Sequence, residues 1–370
     1  MILLRIVITI LVYLIMIQAA CAASPASLDS LDDDPSFSAS LVASTRLPES
    51  LFFLGSPVPV HVQDVRERLE KELLLALWDR PQVILWIKRA STYFPHVEEI
   101  LKQEGLPDDL KYMAVVESGL RPHAGSSDGA VGFWQFVQST GRNNGLRIDS
   151  NIDERRNLFK STRAACLYIK SLYPIFQSWP LALAAYNMGE NGLLREMKLQ
   201  DARDYYSLYL SQETQRYLFK IIAAKLIMES PAKFGFNFLQ QDYYPLLTFD
   251  SIKVDSPDTI PLTVLAAAAG VTFKDIKDLN PEIRGYYLGR GQSTLLLPKG
   301  SAAAFQKAFP ARLEKWRQEN DKRVHVVKPG ESLSIIASTY KISLSLLLTW
   351  NNLKLNSKIH PGEVLLVHPD

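Results

Sequence analysis

Apolar residues recur at helical spacing through most of residues 107–230, and this pattern constrains the fold more than any other feature. Pro107, Asp108 and Asp109 form a typical helix start, because a proline and acidic residues suit the first turn. Further helices are predicted over residues 163–173, 181–186 and 212–228. Few strand signals occur in this region, so a mainly α fold is expected.

The region before these helices divides into a leader and a helical part. The chain has 370 residues, too many for one ordinary core, so two or three domains are expected. Residues 24–60 are rich in Ser, Asp, Pro and Ala, and this composition predicts a flexible leader. Helical spacing then predicts two helices between residues 62 and 100, with breaks at Pro81 and Pro95. We therefore expect the first folded domain to cover residues 61–245.

The N-terminus has the pattern of a signal peptide. Arg5 precedes the apolar run 6–17, and small residues follow. This run is shorter than the roughly 20 residues that span a bilayer, so we expect residues 1–23 to direct export rather than to remain as an anchor. Cys21 offers an alternative, because a cysteine at this place resembles a lipoprotein site, although Gln18 departs from that pattern.

Composition argues against several classes of function. The formal net charge is +2 and no block rich in Lys or Arg occurs, so no nucleic-acid partner is expected. The cysteines are Cys21 and Cys166, and Cys166 lies in an apolar stretch typical of a core residue. No disulfide framework or thiol metal site is therefore predicted. The six histidines are scattered without ligand spacing, and no metal or other cofactor is expected.

Two short modules are predicted after the helical region. Residues 323–369 follow the order strand, helix, helix, strand, with a turn at 328–330 and Ser332 as a helix cap. Residues 250–300 repeat this plan imperfectly, because they lack a clear equivalent of that turn. Residues 301–322 are charged and helix-prone and are predicted to be a helical linker. The expected architecture is a helical domain followed by small α+β (βααβ) modules.

Glu117 stands at the end of an apolar helical run, directly before a loop rich in Gly and Ser. Desolvation raises the pKa of a carboxyl group, so a glutamate here could hold a proton near neutral pH and donate it, for example to a glycosidic oxygen. Ser118 could orient the carboxyl group, Phe133 and Trp134 could face sugar rings, and Gln135 offers a donor and an acceptor. The ordinary alternative is a solvated glutamate, with Trp134 in the core.

Three short motifs occur in order along the chain: ESGL at 117–120, GFWQF at 132–136 and AYNMG at 185–189. Together they resemble the signature of the soluble-lytic-transglycosylase family, which has a goose-type lysozyme-like fold. The segment VHVVKPGESLSIIA, which begins at Val324, resembles a lysin motif (LysM), a module that binds glycans containing N-acetylglucosamine. The resemblance covers residues 60–368. It implies a lysozyme-like catalytic domain, a degenerate LysM-like module and a LysM domain.

The resemblance also implies roles for individual residues. Glu117 matches the family's single catalytic acid, and Tyr217 matches a tyrosine near its substrate-binding cleft. The other expected substrate-binding residues of the catalytic domain are Ser118, Gly132, Gln135, Tyr186 and Asn187. The expected glycan-binding residues of the LysM domain are Gly330, Glu331, Ser332, Ile359, His360 and Pro361. Met188 and Asn157 depart from the family pattern, and we expect Asn157 to be structural only.

The mechanism that the resemblance implies needs one acid. Glu117 would protonate the oxygen that links N-acetylmuramic acid to N-acetylglucosamine, while the sugar's acetamido group stabilises the cation. The Glu117 carboxylate would then deprotonate the muramyl C6 hydroxyl, which attacks C1 and gives a 1,6-anhydro product. Asp128, the first acid after Glu117 in the sequence, is predicted to be a turn residue. A hydrolytic muramidase and a non-catalytic peptidoglycan-binding protein remain as alternatives.

The resemblance sets expectations for partners and location as well. Peptidoglycan glycan strands are the expected partner, and the chain is expected to act as a monomer. Export would deliver it to a bacterial periplasm. Lipidation of Cys21 would in addition attach it to the outer membrane.

Overall fold

The computed structural model describes residues 41–320 and 324–367. The predicted signal peptide, Cys21 and the first part of the predicted leader lie outside these residues. The described chain is mainly helical, with strands only in small two-stranded sheets. The predicted fold class is therefore confirmed, with a helical domain first and small α+β modules after it.

The helical domain begins with a short hairpin, in which β1 (Leu51–Phe53) pairs antiparallel with β2 (Ser56–Val58). The helices that follow are α1 (Gln63–Trp78), α2 (Arg80–Gln103), α3 (Lys111–Ser118), α4 (Gln138–Asn143), α5 (Leu158–Phe176), α6 (Trp179–Met188), α7 (Glu190–Gln200) and α8 (Gln212–Glu229). Leu51 and Phe53 are buried in the domain core. The flexible leader expected up to residue 60 thus ends earlier, because alternate residues of β1 enter the domain core.

The two predicted helix breaks have different outcomes. Pro81 lies in the first turn of α2, where its missing N–H is not needed, and Asp79 caps that turn. Pro95 lies inside α2, and the helix continues past it. The predicted break at Pro95 is therefore wrong. Phe94 and Val97 on either side are buried, so tertiary packing outweighs the local cost of the proline.

Helix α8 organises the core of the helical domain. It packs against α1, α3 and α6, and its buried residues include Leu218, Ile221 and Ile222. Helix α3 also contacts α2, and its residues Tyr112–Val115 are buried. The C-terminal end of the short helix α3 is thereby held against α8.

The second unit contains β3 (Phe249–Ser256), β4 (Ile260–Pro261), α9 (Leu262–Ala269), α10 (Phe273–Leu279), β5 (Tyr287–Leu288), β6 (Gly291–Pro298) and α11 (Ala302–Asn320). Strand β3 pairs antiparallel with β6 along its whole length, and β4 pairs with β5. Helix α11, which corresponds to the predicted linker, packs on α9. Its residues Phe305 and Leu313 belong to the core of this unit, so α11 covers the module.

The third unit follows the order strand, helix, helix, strand. Its elements are β7 (Val324–Val326), α12 (Leu333–Thr339), α13 (Leu344–Trp350) and β8 (Val364–Leu366). Strands β7 and β8 pair antiparallel. The unit has its own small core, which consists of Val327, Leu333, Ile336, Ala337, Leu347, Leu365 and Val367.

The same asparagine contacts occur in the second and third units, which indicates a true structural repeat. Asn280 follows α10; its Nδ2 donates to Leu296 O at 2.8 Å, and its Oδ1 accepts from Leu296 N–H at 2.8 Å. Asn351 follows α13 and makes both bonds to Leu366, at 2.8 and 2.7 Å. Each amide therefore ties the end of the second helix to the last strand of its unit.

Within residues 41–320 and 324–367, no single helix is long and apolar enough to cross a membrane. Taken together, helices α12 and α13 have the length and apolar composition of a membrane span, but the chain bends by 106° between them. The same described residues contain no group of three or more His, Cys, Asp or Glu side chains that could hold a metal ion.

Candidate active site

Glu117 lies in the last turn of α3. The helix ends at Ser118 because Gly119 takes the left-handed conformation, with φ of 59°. A side chain at Gly119 would also collide with its surroundings, since a Cβ atom there would lie 2.8 Å from Gln82 Nε2. The glycine therefore ends the helix at Ser118, and the Glu117 side chain in its last turn is half-buried.

The carboxyl group of Glu117 is bound by a tyrosine of α8. Tyr217 Oη donates a hydrogen bond to Glu117 Oε1 at 2.5 Å, which is short for a bond of this kind. Burial and the nearby Glu117 charge raise the pKa of Tyr217 and of Tyr186 well above the ordinary tyrosine value. Both phenols therefore stay protonated at neutral pH, and Tyr217 remains a donor.

Burial raises the pKa of Glu117 from its ordinary value of 4.5 to about 7. The hydrogen bond from Tyr217 lowers this pKa, the negative charge of Glu213 raises it, and the positive charge of Lys220 lowers it, but burial has the largest effect. At neutral pH the carboxyl group is therefore divided between its protonated and ionised forms. Such a group can donate a proton and then accept one.

The loop of residues 129–136, here called the catalytic loop, approaches Arg155 very closely at Gly132. Gly132 has φ of 86°, and a Cβ atom there would lie 1.9 Å from Arg155 O, so only glycine fits. Gln135 has φ of 47°. Its Nε2 donates to Ala124 O at 3.2 Å and to Gly132 O at 2.8 Å. The side-chain amide of Gln135 therefore holds the catalytic loop in this conformation.

Ser118 connects α3 to the catalytic loop. Its buried hydroxyl lies 3.0 Å from Ala114 O and 2.9 Å from Phe133 O, rather than at the Glu117 carboxyl group, where we expected it. Phe133 and Trp134 are also buried in the core, so they do not offer faces to sugar rings. For Trp134 this is the alternative that the sequence left open, because an apolar residue in a loop has no period that shows which way it faces.

Tyr186 and Asn187, at the end of α6, connect the catalytic loop to α8. Tyr186 Oη donates to Trp134 O at 2.9 Å. Asn187 Oδ1 accepts from Thr214 Oγ1 at 2.8 Å, and its Nδ2 lies 3.5 Å from Glu213 Oε1. The residues singled out by the three motifs therefore meet in one hydrogen-bonded region around Glu117.

Three residues around this site were missed in the sequence. Glu213 and Lys220 both act on the Glu117 charge. They lie four residues before and three residues after Tyr217, on the same face of α8, so helical spacing from Tyr217 could have found them. Arg155 bonds to the carbonyl groups of the catalytic loop, and no local sequence signal indicates that contact.

In the third unit, the predicted glycan-binding residues lie on two neighbouring loops. The loops are joined by a hydrogen bond from Gly362 N–H to Val327 O at 2.8 Å. Glu331 accepts from His325 Nε2 at 2.5 Å and from Lys328 N–H at 2.7 Å, so its carboxylate holds the turn. The remaining predicted residues are Gly330, Ser332, His360 and Pro361, which are exposed, and Ile359, which packs partly against the core.

The sequence matches three protein-family models. Residues 96–208 match the Transglycosylase SLT domain, and residues 325–368 match the LysM domain. Residues 248–311 match the model described as "Lytic transglycosylase MltD, LysM-like domain". The first range lies within the helical domain but leaves out α1 and α8, whereas the other two correspond to the third and second units.

The chain is similar to membrane-bound lytic murein transglycosylase D of Escherichia coli strain K12, with 32% identity over 297 residues. The match covers 75% of this chain and 64% of that protein. The protein of the same name from Escherichia coli O6:H1 gives the same values. The chain thus spans slightly less than two thirds of the length of these relatives.

Two solved structures have partial likeness to the chain. Lytic transglycosylase Slt of Pseudomonas aeruginosa has 20% identity and a TM-score of 0.33, over 39% of this chain and 24% of that one. The 70 kDa soluble lytic transglycosylase of Escherichia coli has 16% identity and a TM-score of 0.35, over 44% and 30%. The chain thus combines a match to the Transglycosylase SLT domain with two matches to LysM-type domains, as its motifs predicted.

Proposed function

We propose that this chain is a lytic transglycosylase that cleaves the β-1,4 bond between N-acetylmuramic acid and N-acetylglucosamine in peptidoglycan. One observation carries the proposal: Glu117 is half-buried, bound by Tyr217, and has a pKa of about 7. The names of the similar proteins support murein as the substrate class. The LysM domain supports a role at glycan strands.

In the first step Glu117 acts as an acid. Its protonated carboxyl group gives a proton to the glycosidic oxygen while the bond from that oxygen to C1 of N-acetylmuramic acid breaks. The departing N-acetylglucosamine leaves with a new hydroxyl group. Positive charge develops at C1, and the acetamido group of the same sugar shares it. The Glu117 carboxylate left behind is stabilised by the Tyr217 hydrogen bond and by the charge of Lys220.

In the second step Glu117 acts as a base. Its carboxylate takes the proton from the C6 hydroxyl of N-acetylmuramic acid, and O6 forms a bond to C1. The product is a 1,6-anhydro sugar, no water is consumed, and Glu117 is protonated again, now by the proton of the C6 hydroxyl. A pKa near neutrality suits both transfers, because neither protonation state is strongly favoured.

A hydrolytic muramidase is the second candidate, and Glu213 is the observation that favours it. The Glu213 carboxylate is close enough to raise the pKa of Glu117, so a second acid lies near the site. In a muramidase this carboxylate would activate a water molecule, and the product would carry a reducing end. A third candidate, a non-catalytic peptidoglycan-binding protein, would use only the LysM domain.

The proposed substrate also suggests where the chain acts. We propose that residues 1–23 direct export, that the protein works in a bacterial periplasm as a monomer, and that lipidation of Cys21 would attach it to the outer membrane. The LysM loops that carry Gly330 and His360 would hold glycan strands near the active site.

The experiment is a digestion of cell-wall sacculi by purified protein that lacks residues 1–23, followed by mass spectrometry of the released muropeptides. Glu117→Gln is the matched variant, since it keeps the shape of the side chain and removes the acid. Anhydro-ended products that vanish in Glu117→Gln support the proposal. Products one water heavier would show a muramidase. Co-sedimentation with sacculi without release would leave only the binding role.

A further inference from the structure

We infer that the second unit, residues 249–320, is a fixed part of the active-site frame, and that Asp153, Arg155 and Glu282 are positioning residues for the catalytic loop. The inference rests on the proposed function, since it assigns these residues an effect on turnover. It gives the LysM-like module a role in catalysis that does not require the module to bind glycan.

The second unit joins the helical domain through backbone contacts. Ile152 and Ile283 form an antiparallel bridge. Asp153 N–H donates to Glu282 O at 2.8 Å, and Arg284 N–H donates to Asn151 O at 2.8 Å. Ile152 is moreover buried in the core of the second unit rather than in the core of its own domain. The segment 151–153 therefore behaves as an added strand of the module.

A buried side-chain bond reinforces this contact. Asn157 Nδ2 donates to Glu282 Oε1 at 2.8 Å, and both residues are buried. Burial raises the pKa of Glu282, so separation of the pair would leave polar groups in a dry environment. Asn157 also caps α5 by accepting from Lys160 N–H at 3.0 Å. An aspartate at residue 157 would keep that cap but place two carboxyl groups face to face.

The ion pair of Asp153 and Arg155 connects this contact to the catalytic loop. Arg155 binds both carboxylate oxygens of Asp153, at 2.8 and 2.9 Å, and both side chains are buried. Arg155 Nη1 donates to Gly129 O at 2.9 Å and to Phe136 O at 3.0 Å. One guanidinium group thus binds both ends of the catalytic loop, while its other nitrogens are held by Asp153.

The catalytic loop in turn restrains the position of Glu117. Phe133 O, in the middle of the loop, lies 2.9 Å from the hydroxyl of Ser118, the residue next to Glu117. Trp134 O accepts from Tyr186 Oη at 2.9 Å. The backbone oxygen of Glu282 holds the N–H of Asp153, and the Asp153 carboxylate holds Arg155. Loosening of the module at Glu282 would therefore displace Asp153, then Arg155, and then the loop. A catalytic acid needs accurate placement, and small displacements lower turnover.

The test compares variants of the full chain that differ at the contact between module and domain. Glu282→Ala removes the acceptor for Asn157, and Glu282→Gln keeps it. Asp275→Ala is the control, because Asp275 forms an exposed capping box with Thr272 in the same module, away from this contact. Asn157→Asp is a second variant that retains the cap of α5. The readouts are kcat and KM on purified uncrosslinked glycan strands, and amide hydrogen exchange of the catalytic loop.

Glu282→Ala is expected to lower kcat about tenfold with KM within twofold, and to speed exchange at residues 129–136. Glu282→Gln should restore both, and Asp275→Ala should change neither. Asn157→Asp should lower kcat more as pH rises, because the added carboxylate ionises and repels Glu282. A stable Glu282→Ala protein with faster exchange at the Asp153 and Arg284 amides, but unchanged kcat and loop exchange, would overturn the inference.

Two further results are decisive in the same experiment. An equal loss of kcat in Asp275→Ala would also overturn the inference, because module stability alone would then explain the effect. If the wild-type chain releases no product, the proposed function fails by itself. In that case the exchange at residues 129–136 still decides whether the module fixes the loop.

Discussion

The second and third units share a plan but relate differently to the helical domain. Both have two helices between paired strands, and both use an asparagine, Asn280 or Asn351, to close the unit. The second unit is joined to the helical domain by backbone bonds and by Ile152. Among the described residues, no hydrogen bond or ion pair joins residues 324–367 to the rest of the chain.

The difference is visible where a LysM domain is expected to hold glycan. In the third unit the loops at 327–332 and 359–362 lie side by side, with exposed residues. In the second unit the corresponding segments contain β4 and β5, which pair with each other. Leu262 N–H also donates to Tyr286 O at 2.8 Å. In the second unit this strand pair takes the place of the two loops, and the loop after α10 contacts the helical domain.

One small fold can therefore serve as a support or as a binding module, according to what its loops contact. A module whose loops bind a neighbouring domain loses the surface that a ligand would need. Equivalent substitutions in the two units should therefore have different effects on the helical domain. A change near residues 129–157 should affect the helical domain and the second unit together, and should leave the third unit unaffected.

The largest effect is expected for Gly132→Ala. The added methyl group would collide with Arg155 O at a position with positive φ, so the free energy of unfolding should fall by about 3 kcal/mol or more. Urea unfolding followed by tryptophan fluorescence measures the change. Gly129→Ala is the control, because a Cβ atom there meets nothing within 4 Å and only its φ of 79° is unfavourable. Its cost should be about 1 kcal/mol.

The next effects concern the two asparagines. Asn280→Ala removes a fully buried amide and its hydrogen bonds to the backbone N–H and C=O of Leu296, so the loss should be about 2–3 kcal/mol. Asn351→Ala, at a half-buried position, should cost about 1–2 kcal/mol. Turnover on soluble glycan strands should fall in Asn280→Ala and stay unchanged in Asn351→Ala. Equal turnover in both variants would contradict the difference between the units.

A third prediction links stability to pH through Glu117. Its folded pKa of about 7 lies above its ordinary value of 4.5, so its ionised form is less favourable in the folded state. The resulting destabilisation is absent below pH 4.5 and grows as pH rises to 7 and above. Glu117→Gln should therefore be more stable than wild type by about 1–3 kcal/mol at pH 8, and not at pH 4. The transition of the third unit should not move.

The smallest effect is expected in the third unit. Hydrogen bonds from Lys328 N–H and His325 lower the pKa of Glu331, so its carboxylate holds the turn in the charged form. Glu331→Gln should weaken the binding of chitin oligosaccharides about two- to fivefold, measured by calorimetry, because the turn is held less firmly. Glu363→Gln, which changes an exposed acid in the other loop, is the control. A larger loss in the control would argue against this role for Glu331.

The sequence predicted the fold class well because long helical periods and ordered motifs carry strong signals. The helices at α5, α6 and α8 occur where apolar spacing placed them, each a few residues longer or with shifted ends. The β1–β2 hairpin was missed, since a three-residue strand in a Ser- and Pro-rich region has too little pattern. The docking of the second unit was missed because residues 151–157 and 282–284 are far apart in the sequence.

The sequence indicated which residues form the candidate site, but not which contacts they make. Motif order pointed to Glu117, and the structure adds the Tyr217 bond that no spacing reveals. The sequence could not decide between a sugar-facing and a core position for Trp134, and it did not predict the burial of Phe133, because burial of a loop residue depends on the tertiary fold. Glu213 could have been found from its helical spacing to Tyr217, but its effect on the Glu117 charge arises only because α3 packs on α8.

The most direct test of the account is a titration of the Glu117 carboxyl group itself. Protein labelled with ¹³C at glutamate side chains would be followed by NMR from pH 4 to pH 9, with Glu117→Gln used to assign the signal. We expect a pKa of about 7 for Glu117, which is further from the ordinary value of 4.5 than the pKa of exposed glutamates. A pKa near 4.5 would contradict the account, because Glu117 would then be ionised at neutral pH and unable to act first as an acid.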